Sequence, residues 1–191
     1  SASFMVSRDC GNLSDEQVRS AAYESMSENL VDSIISPLFY FGLFGLPGAA
    51  VYRAANTMDA MLGYRDERRE IGWCSARMDD ILNYIPARIT GGMLLLYFAL
   101  KGRFFQAYKG FLLDWKKRPG FNGGIPISIM ASGVGVRFEK PGVYAMGTGE
   151  RSLEEAGPEI VEGIRVVSIA FGALVSIVLI LLGSGIIYTG I

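Results

Sequence analysis

The sequence contains no histidine and only two cysteines, Cys10 and Cys74. Without histidine, the chain lacks the commonest general base and the commonest nitrogen ligand of metal ions. The two cysteines stand far apart and form no CxxC pair, which argues against a disulfide framework. The net charge is −1, so no overall field attracts nucleic acid, and we do not expect nucleic acid as a partner.

Familiar nucleotide-binding and hydrolase motifs are also absent. The sequence has no GxxxxGK[ST] P-loop, no GxGxxG after a predicted strand, no HExxH and no GxSxG. If a nucleotide binds, it binds in an unfamiliar arrangement. The chain opens on SASFMV, without an initiator methionine or a signal-peptide pattern. We therefore expect it to be the C-terminal part of a longer protein.

Apolar residues, by contrast, are abundant: half of the residues are hydrophobic and the mean hydropathy is +0.30. After Arg165 the chain runs for 26 residues to Ile191 without a charge. About 20 apolar residues are enough to cross the hydrocarbon core of a bilayer. The sequence therefore predicts a C-terminal transmembrane helix over residues 165–191.

A second uncharged run covers the 20 residues Ser33–Tyr52, but prolines and glycines interrupt it. Irregular backbone is tolerated at membrane depth only where protein or a water-filled cavity satisfies it. We therefore expect a broken or re-entrant segment rather than one straight helix. The break should lie near residues 45–48, because Pro47 lacks an N–H and its ring clashes one turn back.

The next three stretches predict shorter elements. Residues 89–100 are too few to span a bilayer and predict a buried or interfacial helix. Residues 101–118 carry six Lys or Arg against one acid, which by the positive-inside rule places them on the cytoplasmic face. Their large apolar side chains predict an amphipathic helix on the membrane surface: Phe104, Phe105, Tyr108, Phe111, Leu112 and Trp115. Residues 119–149 are Gly-rich and predict loops around short elements.

These patterns together predict an all-α fold. We expect residues 1–191 to form a single membrane-embedded catalytic domain of a polytopic integral membrane protein. Broken or re-entrant helices would precede the C-terminal transmembrane helix. The protein would be a multi-pass component of the cell membrane, with its site facing the cytoplasm.

Three carboxylates lie along one side of the first predicted helix, just before the uncharged run. At 100° per residue, Glu24, Glu28 and Asp32 fall within an arc of about 80°, with Ser25 and Asn29 beside them. Like charges at this spacing repel one another, and Mg²⁺ takes hard oxygen ligands that it shares with phosphate. We interpret the pattern as a magnesium site. A solvated acidic face paired with arginines is the alternative.

Two further stretches, NTMDAMLGY and SARMDDILNYIPAR, combine amides, acids and arginines. In the second stretch, Asp79 and Asn83 lie one helical turn apart. Arg77 and Asp80 either pair with each other or face a ligand. Arg77 and Arg88 carry the planar fork that binds phosphate or carboxylate. Acids beside a membrane segment need partners, so Asp79 and Asp80 are candidates for chemistry.

Four collinear motifs carry a resemblance to a known family: VSRDCGNLSDEQVRSAAYESMSENLVDSIISPLFY, GLPGAAVYRAANTMDAMLGY, GWCSARMDDILNYIPARIT and FNGGIPISIMASGVGVRFEKPGVY. The chain resembles the adenosylcobinamide-phosphate synthases of the CbiB/CobD type over most of residues 4–145. The resemblance implies an ATP-driven ligase that joins the propionate of adenosylcobyric acid to the amine of aminopropanol phosphate, or of a close relative. It implies Mg²⁺ and ATP as cofactors and the lipid bilayer as a partner. A homo-oligomer, or an assembly with other cobalamin-pathway membrane enzymes, stays open.

The resemblance also implies roles for single residues. Glu24, Glu28 and Asp32 would hold Mg²⁺. Catalytic roles would fall to Arg77, Asp79, Asp80 and Arg88, and cofactor contacts to Arg8, Ser25, Asn29, Asn56, Asp59, Tyr64, Asn83 and Asn122. Because histidine is absent, Asp79 or Asp80 is the candidate that takes the proton from the incoming ammonium. The chain departs from the family pattern at Cys10 and at 127–128, where the missing acid weakens a carboxylate role for that loop.

Other function classes stay open on the sequence. An ion-coupled transporter also places Glu, Asp and Asn beside broken helices, but it predicts acids deep within spans rather than at their edges. A phosphotransferase acting on lipid alcohols is a further alternative, although SARMDD does not reproduce its usual Asp and AR pattern. A purely structural membrane subunit leaves the clustered polar residues unexplained. The sequence does not decide between an acyl phosphate and an adenylate intermediate.

Overall fold

The computed structural model describes residues 14–62 and 69–188, and the side chains of 14–61 and 72–183. Arg8 and Tyr64, two of the predicted site residues, lie outside these ranges. The described chain is mainly helical, with these elements in order: α1 (Asp15–Asn29), a π-helical segment (Leu30–Ile35), α2 (Ser36–Leu62), α3 (Arg69–Leu82), α4 (Tyr84–Leu100), α5 (Phe104–Asp114), α6 (Gly124–Val134), β1 (Phe138–Lys140), β2 (Tyr144–Met146) and α7 (Leu153–Tyr188).

Helix α1 begins at a capping box. The Gln17 N–H donates to Ser14 Oγ at 3.3 Å, and the Ser14 N–H donates to Gln17 Oε1 at 3.1 Å. Two acids in the first turn face the positive end of the helix dipole. The helix continues without a gap into the π-helical segment, which carries Asp32. Such π-helical turns are rare and occur frequently at functional sites.

Helix α2 reverses direction at Gly45, whose backbone has φ 65° and ψ −155°. The rings of Tyr40 and Tyr52 stack with their centroids 5.4 Å apart. In a straight helix, twelve residues would separate them by about 18 Å. The predicted break is therefore confirmed: α2 is a helical hairpin, with a first arm (36–44) and a second arm (46–62). Pro47 lies in the first turn of the second arm, where its missing N–H is tolerated.

Two helices are long and apolar enough to cross a membrane by length and composition, Asp15–Met61 and Leu153–Gly183. The first of them contains the reversal at Gly45, so it is not one straight rod. The second confirms the predicted helix at the C-terminal end, which begins upstream of Arg165. The protein is therefore a helical chain with two long apolar segments.

Helix α6 lies at the centre of the fold, and every one of its 11 residues is buried. Its small residues let neighbouring helices approach closely: Gly133 lies against the Phe98 ring, and Ser132 lies against Gly110 of α5. Helix α4 packs against it where Gly91 faces Ile125 and Phe98 faces Gly133. Its buried Leu94 and Phe98 agree with the buried or interfacial helix predicted there. Residues 119–149 contain short elements joined by loops, as predicted, but one of these elements is a fully buried core helix, in which Gly133 serves packing rather than a turn.

Strands β1 and β2 form an antiparallel pair in which Phe138 lies opposite Met146. The prediction of an all-α fold is therefore wrong in this one small element. Phe138 and Met146 are both buried in the core, which gives the short hairpin its anchor. The predicted amphipathic helix is α5, and along it the ring pairs Phe104–Tyr108 and Phe111–Trp115 stack at 5.7 and 5.9 Å.

Candidate functional site

Asp79 is held by two amides from different parts of the chain. Asn56 of the second hairpin arm donates Nδ2–H to Asp79 Oδ1 at 3.0 Å. Asn83 donates Nδ2–H to Asp79 Oδ2, also at 3.0 Å. Both carboxylate oxygens therefore accept a hydrogen bond, which fixes the orientation of the carboxylate. Each oxygen keeps a further lone pair for a ligand.

The orientation of the Asn83 amide is set by two hydroxyls on the opposite side. Asn83 is only 1% exposed, and its Oδ1 accepts from Ser36 Oγ at 2.6 Å and from Tyr52 at 2.9 Å. Ser36 begins the first hairpin arm, and Tyr52 lies on the second. Because Oδ1 already accepts two donors, the NH₂ group must face Asp79. The two arms of the hairpin therefore meet the junction between α3 and α4 at this amide.

Four carboxylates gather around this junction; we call them the acidic cluster, Asp32, Asp59, Asp79 and Asp80. Asp32 lies within electrostatic range of Asp79 and Asp59, and Asp59 within range of Asp79 and Asp80. They come from the π-helical segment, the second hairpin arm and α3. Burial raises the pKa of Asp80 above its usual range; the charge of Arg77 opposes this and that of Asp79 adds to it. The cluster therefore concentrates negative charge around Asp32, the one of its members that belongs to the predicted magnesium site.

Arg77 and Arg88 differ in what they contact. Arg77 Nη1 lies 3.9 Å from Asp80 Oδ2, which is the pairing that the sequence left open. Arg88 Nη1 donates to the Tyr84 carbonyl at 2.7 Å and to Asn122 Oδ1 at 3.0 Å. Its guanidinium lies 3.5 Å above the Tyr84 ring.

The positive charge of Arg88 is therefore held by neutral groups. Within residues 14–61 and 72–183, no carboxylate forms an ion pair with it. Asn122 connects Arg88 to the acidic cluster, since its Nδ2–H donates to the Asp80 carbonyl at 2.9 Å. Arg88 is thus oriented at the edge of the cluster with its charge available to an anion.

The two glutamates of α1 have partners of their own. Glu24 is 3% exposed, and its two oxygens accept from Ser20 Oγ at 2.8 Å and from the Tyr144 hydroxyl at 2.6 Å. Glu28 forms an ion pair with Arg118. Gly123 lies so close to this pair that a Cβ there would collide with the guanidinium.

Among the described side chains, no group of three or more His, Cys, Asp or Glu is placed to hold a metal ion. The magnesium site of Glu24, Glu28 and Asp32 therefore stays a prediction, and the structure gives both glutamates other partners. Ser25 and Asn29 lie beside them: Asn29 Nδ2–H donates to Ser25 Oγ at 3.3 Å.

Four functional candidates were not predicted from the sequence. Arg118 was counted only as one cation of a basic stretch, and Tyr144 lay in a region predicted as loops. Ser36 and Tyr52 lay in the uncharged run, which was interpreted by its hydropathy. A signal for the last two exists only once the hairpin is known, because the reversal at Gly45 is what brings them together.

Comparison with known proteins identifies a family that this chain matches. A family model described as CobD/Cbib protein matches residues 1–180. A protein of Methanothermobacter thermautotrophicus named probable cobalamin biosynthesis protein CobD is 50% identical over 147 residues, which is 76% of this chain and 50% of that protein. The protein of the same name from Thermococcus kodakarensis is 44% identical over 185 residues, 96% of this chain and 59% of its own length. No solved structure matches. The chain spans about half the length of the curated relatives it matches.

Proposed function

Because the chain belongs to the CobD/CbiB family of cobalamin-biosynthesis proteins, we propose that it carries the catalytic site of an adenosylcobinamide-phosphate synthase. The reaction is an ATP- and Mg²⁺-dependent ligation that forms an amide bond between adenosylcobyric acid and aminopropanol phosphate. The observation that supports it best is the polar junction at the base of the apolar hairpin, where the Asp79 carboxylate accepts from two amides. Asn122 connects the neighbouring Asp80 to Arg88, which forms no ion pair with any described carboxylate.

Arg88 is the proposed anion-binding residue. The reaction brings together a propionate, a triphosphate and a phosphate monoester, all of them negative. An arginine whose neighbours are neutral can take a phosphoryl oxygen without first breaking an ion pair. Arg77 Nη1 lies 3.9 Å from Asp80 Oδ2, and its side chain is half exposed. Exposed ion pairs contribute little free energy, so a ligand can replace Asp80 as the partner of Arg77 at little cost.

Asp79 and Asp80 are the proposed proton acceptors. When the amine nitrogen attacks the activated carboxyl carbon, the C–N bond forms, the phosphate or nucleotide group leaves, and the ammonium proton must pass to a base. Asp79 is oriented for this by the amides of Asn56 and Asn83. Asp80 has a pKa raised by burial, which brings it closer to the operating pH of a base.

Two carboxylates can be enough for Mg²⁺ when the ion is shared with the substrate. Mg²⁺ usually binds one or two carboxylates together with phosphate oxygens and water. Asp32 lies within range of the charges of Asp59, Asp79 and Glu28, and Arg118 is the cation acting on it. We propose that Asp32 and Asp59 bind the ion, which when present neutralises phosphate charge.

The test is an assay of the full-length protein with adenosylcobyric acid, ATP, Mg²⁺ and aminopropanol phosphate. We expect the amide product by mass spectrometry, with ADP released if the carboxyl is phosphorylated and AMP if it is adenylated. Asp79→Asn should abolish product formation, because the carboxylate charge is lost at nearly constant shape. Asp15→Asn, in the exposed first turn of α1, is the matched control. Full activity in the Asp79 variant would refute the site assignment.

An ion-coupled transporter is the second candidate. It is favoured by one observation, the carboxylate of Asp32 beside a helix that breaks at Gly45. In that case, flux of an ion or substrate across vesicles would depend on Asp32 while no nucleotide is consumed. The same preparation therefore distinguishes the two functions.

A further inference from the structure

Helix α7 runs beside α1 and in the same direction. The Leu153 N–H donates to Glu16 Oε1 at 2.7 Å, and Arg19 pairs with Glu154 at 3.2 Å. One turn farther along, Gly157 lies against the ring of Tyr23. From one contact to the next, the residue numbers increase on both helices. The two helices are therefore parallel neighbours over their polar halves.

The same pairing continues into the apolar halves. A Cβ on Gly42, in the first hairpin arm, would meet Val175 Cγ1 at 3.4 Å. Gly42 follows Asp32 by ten residues, and Val175 follows Arg165 by ten residues. At about 1.5 Å per residue, each of these last charges lies about 15 Å from the contact. Both helices therefore change from polar to uncharged sequence at one shared level.

The second hairpin arm returns to that level. Arg53 is the first charge after Asp32, and the hydroxyl of its neighbour Tyr52 lies 3.1 Å from the Asp32 carbonyl oxygen. From Gly45 to Tyr52 the arm rises about 10 Å, and from Asp32 to Gly45 the other side of the hairpin descends about 20 Å. The hydrocarbon core of a bilayer is about 30 Å thick. The tip of the hairpin therefore lies between about a third and two-thirds of that thickness, near its middle, and the hairpin is too short to cross it.

Beyond this level the exposed side chains are apolar on both elements over the described residues, except Ser176, whose hydroxyl donates to the Gly172 carbonyl at 2.9 Å. Leu46 at the hairpin tip is 73% exposed, and Ile177, close to the matching depth of α7, is 55% exposed. We propose that the hairpin inserts into one leaflet of a lipid bilayer, reaches its midplane and returns to the same side, while α7 continues through the other leaflet. Lipid acyl chains are the occupant of the exposed tip. This proposal is independent of the ligase activity.

The first test measures depth with nitroxide labels on the full-length protein, in vesicles of phosphatidylcholine and phosphatidylglycerol. Cys10→Ser and Cys74→Ser remove the thiols of this chain, and any others in the full-length protein are replaced likewise. The ratio of accessibility to oxygen over accessibility to a nickel chelate rises with depth. Single labels go on these variants: Leu46→Cys, Ile177→Cys, Ser33→Cys and Ala54→Cys. We expect equal ratios at the first two and lower ratios at the last two.

Three outcomes would overturn the proposal. A ratio at Leu46→Cys as low as at Ser33→Cys would place the tip in water. Loss of access to both oxygen and nickel at Leu46→Cys, with Ile177→Cys still lipid-like, would show that protein covers the tip. The last outcome concerns the side of the bilayer on which each end of the hairpin lies. A membrane-impermeant maleimide should label Ser33→Cys and Ala54→Cys from the same side. Labelling from opposite sides would show that the segment between them crosses the bilayer.

Discussion

Asn83 is the residue on which the candidate site depends most directly. Its oxygen accepts from a hydroxyl of each hairpin arm, and its nitrogen donates to Asp79. An amide has a carbonyl side and an NH₂ side, so a flip would leave Ser36, Tyr52 and Asp79 all facing the wrong group. A buried network of this kind is stabilising only when every member is satisfied. Asn83 therefore links the geometry of the hairpin to the geometry of the carboxylate.

Arg88→Lys tests the role of the other polar side chain at this edge. Lysine keeps the positive charge but loses the planar fork and the stacking on Tyr84. Loss of one charge-assisted hydrogen bond costs about 1.5–3 kcal/mol, which is roughly a 10- to 150-fold loss of ATP-dependent turnover. Corrinoid binding, measured by absorbance, should change little.

Arg19→Lys is the matched control, because Arg19 forms an exposed ion pair with Glu154. Exposed pairs contribute about 0–1 kcal/mol, so this variant should keep wild-type turnover. Equal turnover in wild type and Arg88→Lys at saturating ATP and Mg²⁺ would show that Arg88 is structural.

At the scale of elements, the sequence predicted those whose signals are local. Ser14 and Gln17 mark the start of α1, and the uncharged run after Arg165 marks the apolar part of α7. The break at Gly45 was also predictable, because prolines and glycines interrupt an apolar run. Helix α6 was not, because its glycines resemble those of loops until Phe98 is seen packed against one of them. Likewise, the sequence alone does not indicate that Ser36 and Tyr52 belong to the site, because only the reversal between them brings their hydroxyls together.

Gly45→Ala tests the reversal itself. The nearest atom to a Cβ on Gly45 is Pro47 Cδ at 3.9 Å, so space is available, but φ 65° with ψ −155° is a region that residues other than glycine avoid. Such a residue costs about 1–3 kcal/mol. We expect the denaturant midpoint in detergent to fall accordingly, and the near-UV signal of the stacked tyrosines to weaken.

Gly92→Ala is the control for this change. Gly92 lies within α4 and no heavy atom lies within 4 Å of a Cβ placed there. Alanine in a helix is favoured over glycine by about 1 kcal/mol, so this variant should be slightly more stable. If both variants gain stability alike, the backbone at residue 45 is not strained by a side chain.

At the scale of the whole molecule, one hydrogen bond joins parts of the chain that are far apart in sequence. Tyr144 of β2 donates to Glu24 of α1 at 2.6 Å, across 120 residues. Burial, together with the Glu24 carboxylate, raises the pKa of Tyr144 above its usual value. The hydroxyl therefore keeps its proton, and its contribution is fully present below the unfolded pKa of about 10 and is lost only above it.

Tyr144→Phe should lower the free energy of unfolding by about 1–3 kcal/mol, because a buried carboxylate loses a donor. The loss should be the same at pH 6 and pH 9, since Tyr144 is protonated at both. Denaturant unfolding in detergent at the two pH values measures it. Tyr108→Phe, on an exposed ring of α5, should change stability by less than about 0.5 kcal/mol. A cost that disappears at pH 9 would contradict the assignment of the proton.

The contact between Gly42 and Val175 can form only late in synthesis, because the two residues are 133 positions apart. A ribosome adds about 5–20 residues per second, so Val175 emerges roughly 7 to 27 seconds after Gly42. During that interval the hairpin has no α7 beside it, and an uncharged run of 20 residues is long enough to be inserted straight across a membrane. On the proposed insertion into one leaflet, the nascent chain holds the reversal by contacts made early, among them Gly48 against Phe44 and the stacked rings of Tyr40 and Tyr52. Substitutions that weaken this stacking should appear first as misinserted chains during synthesis, before any change is seen in the mature protein.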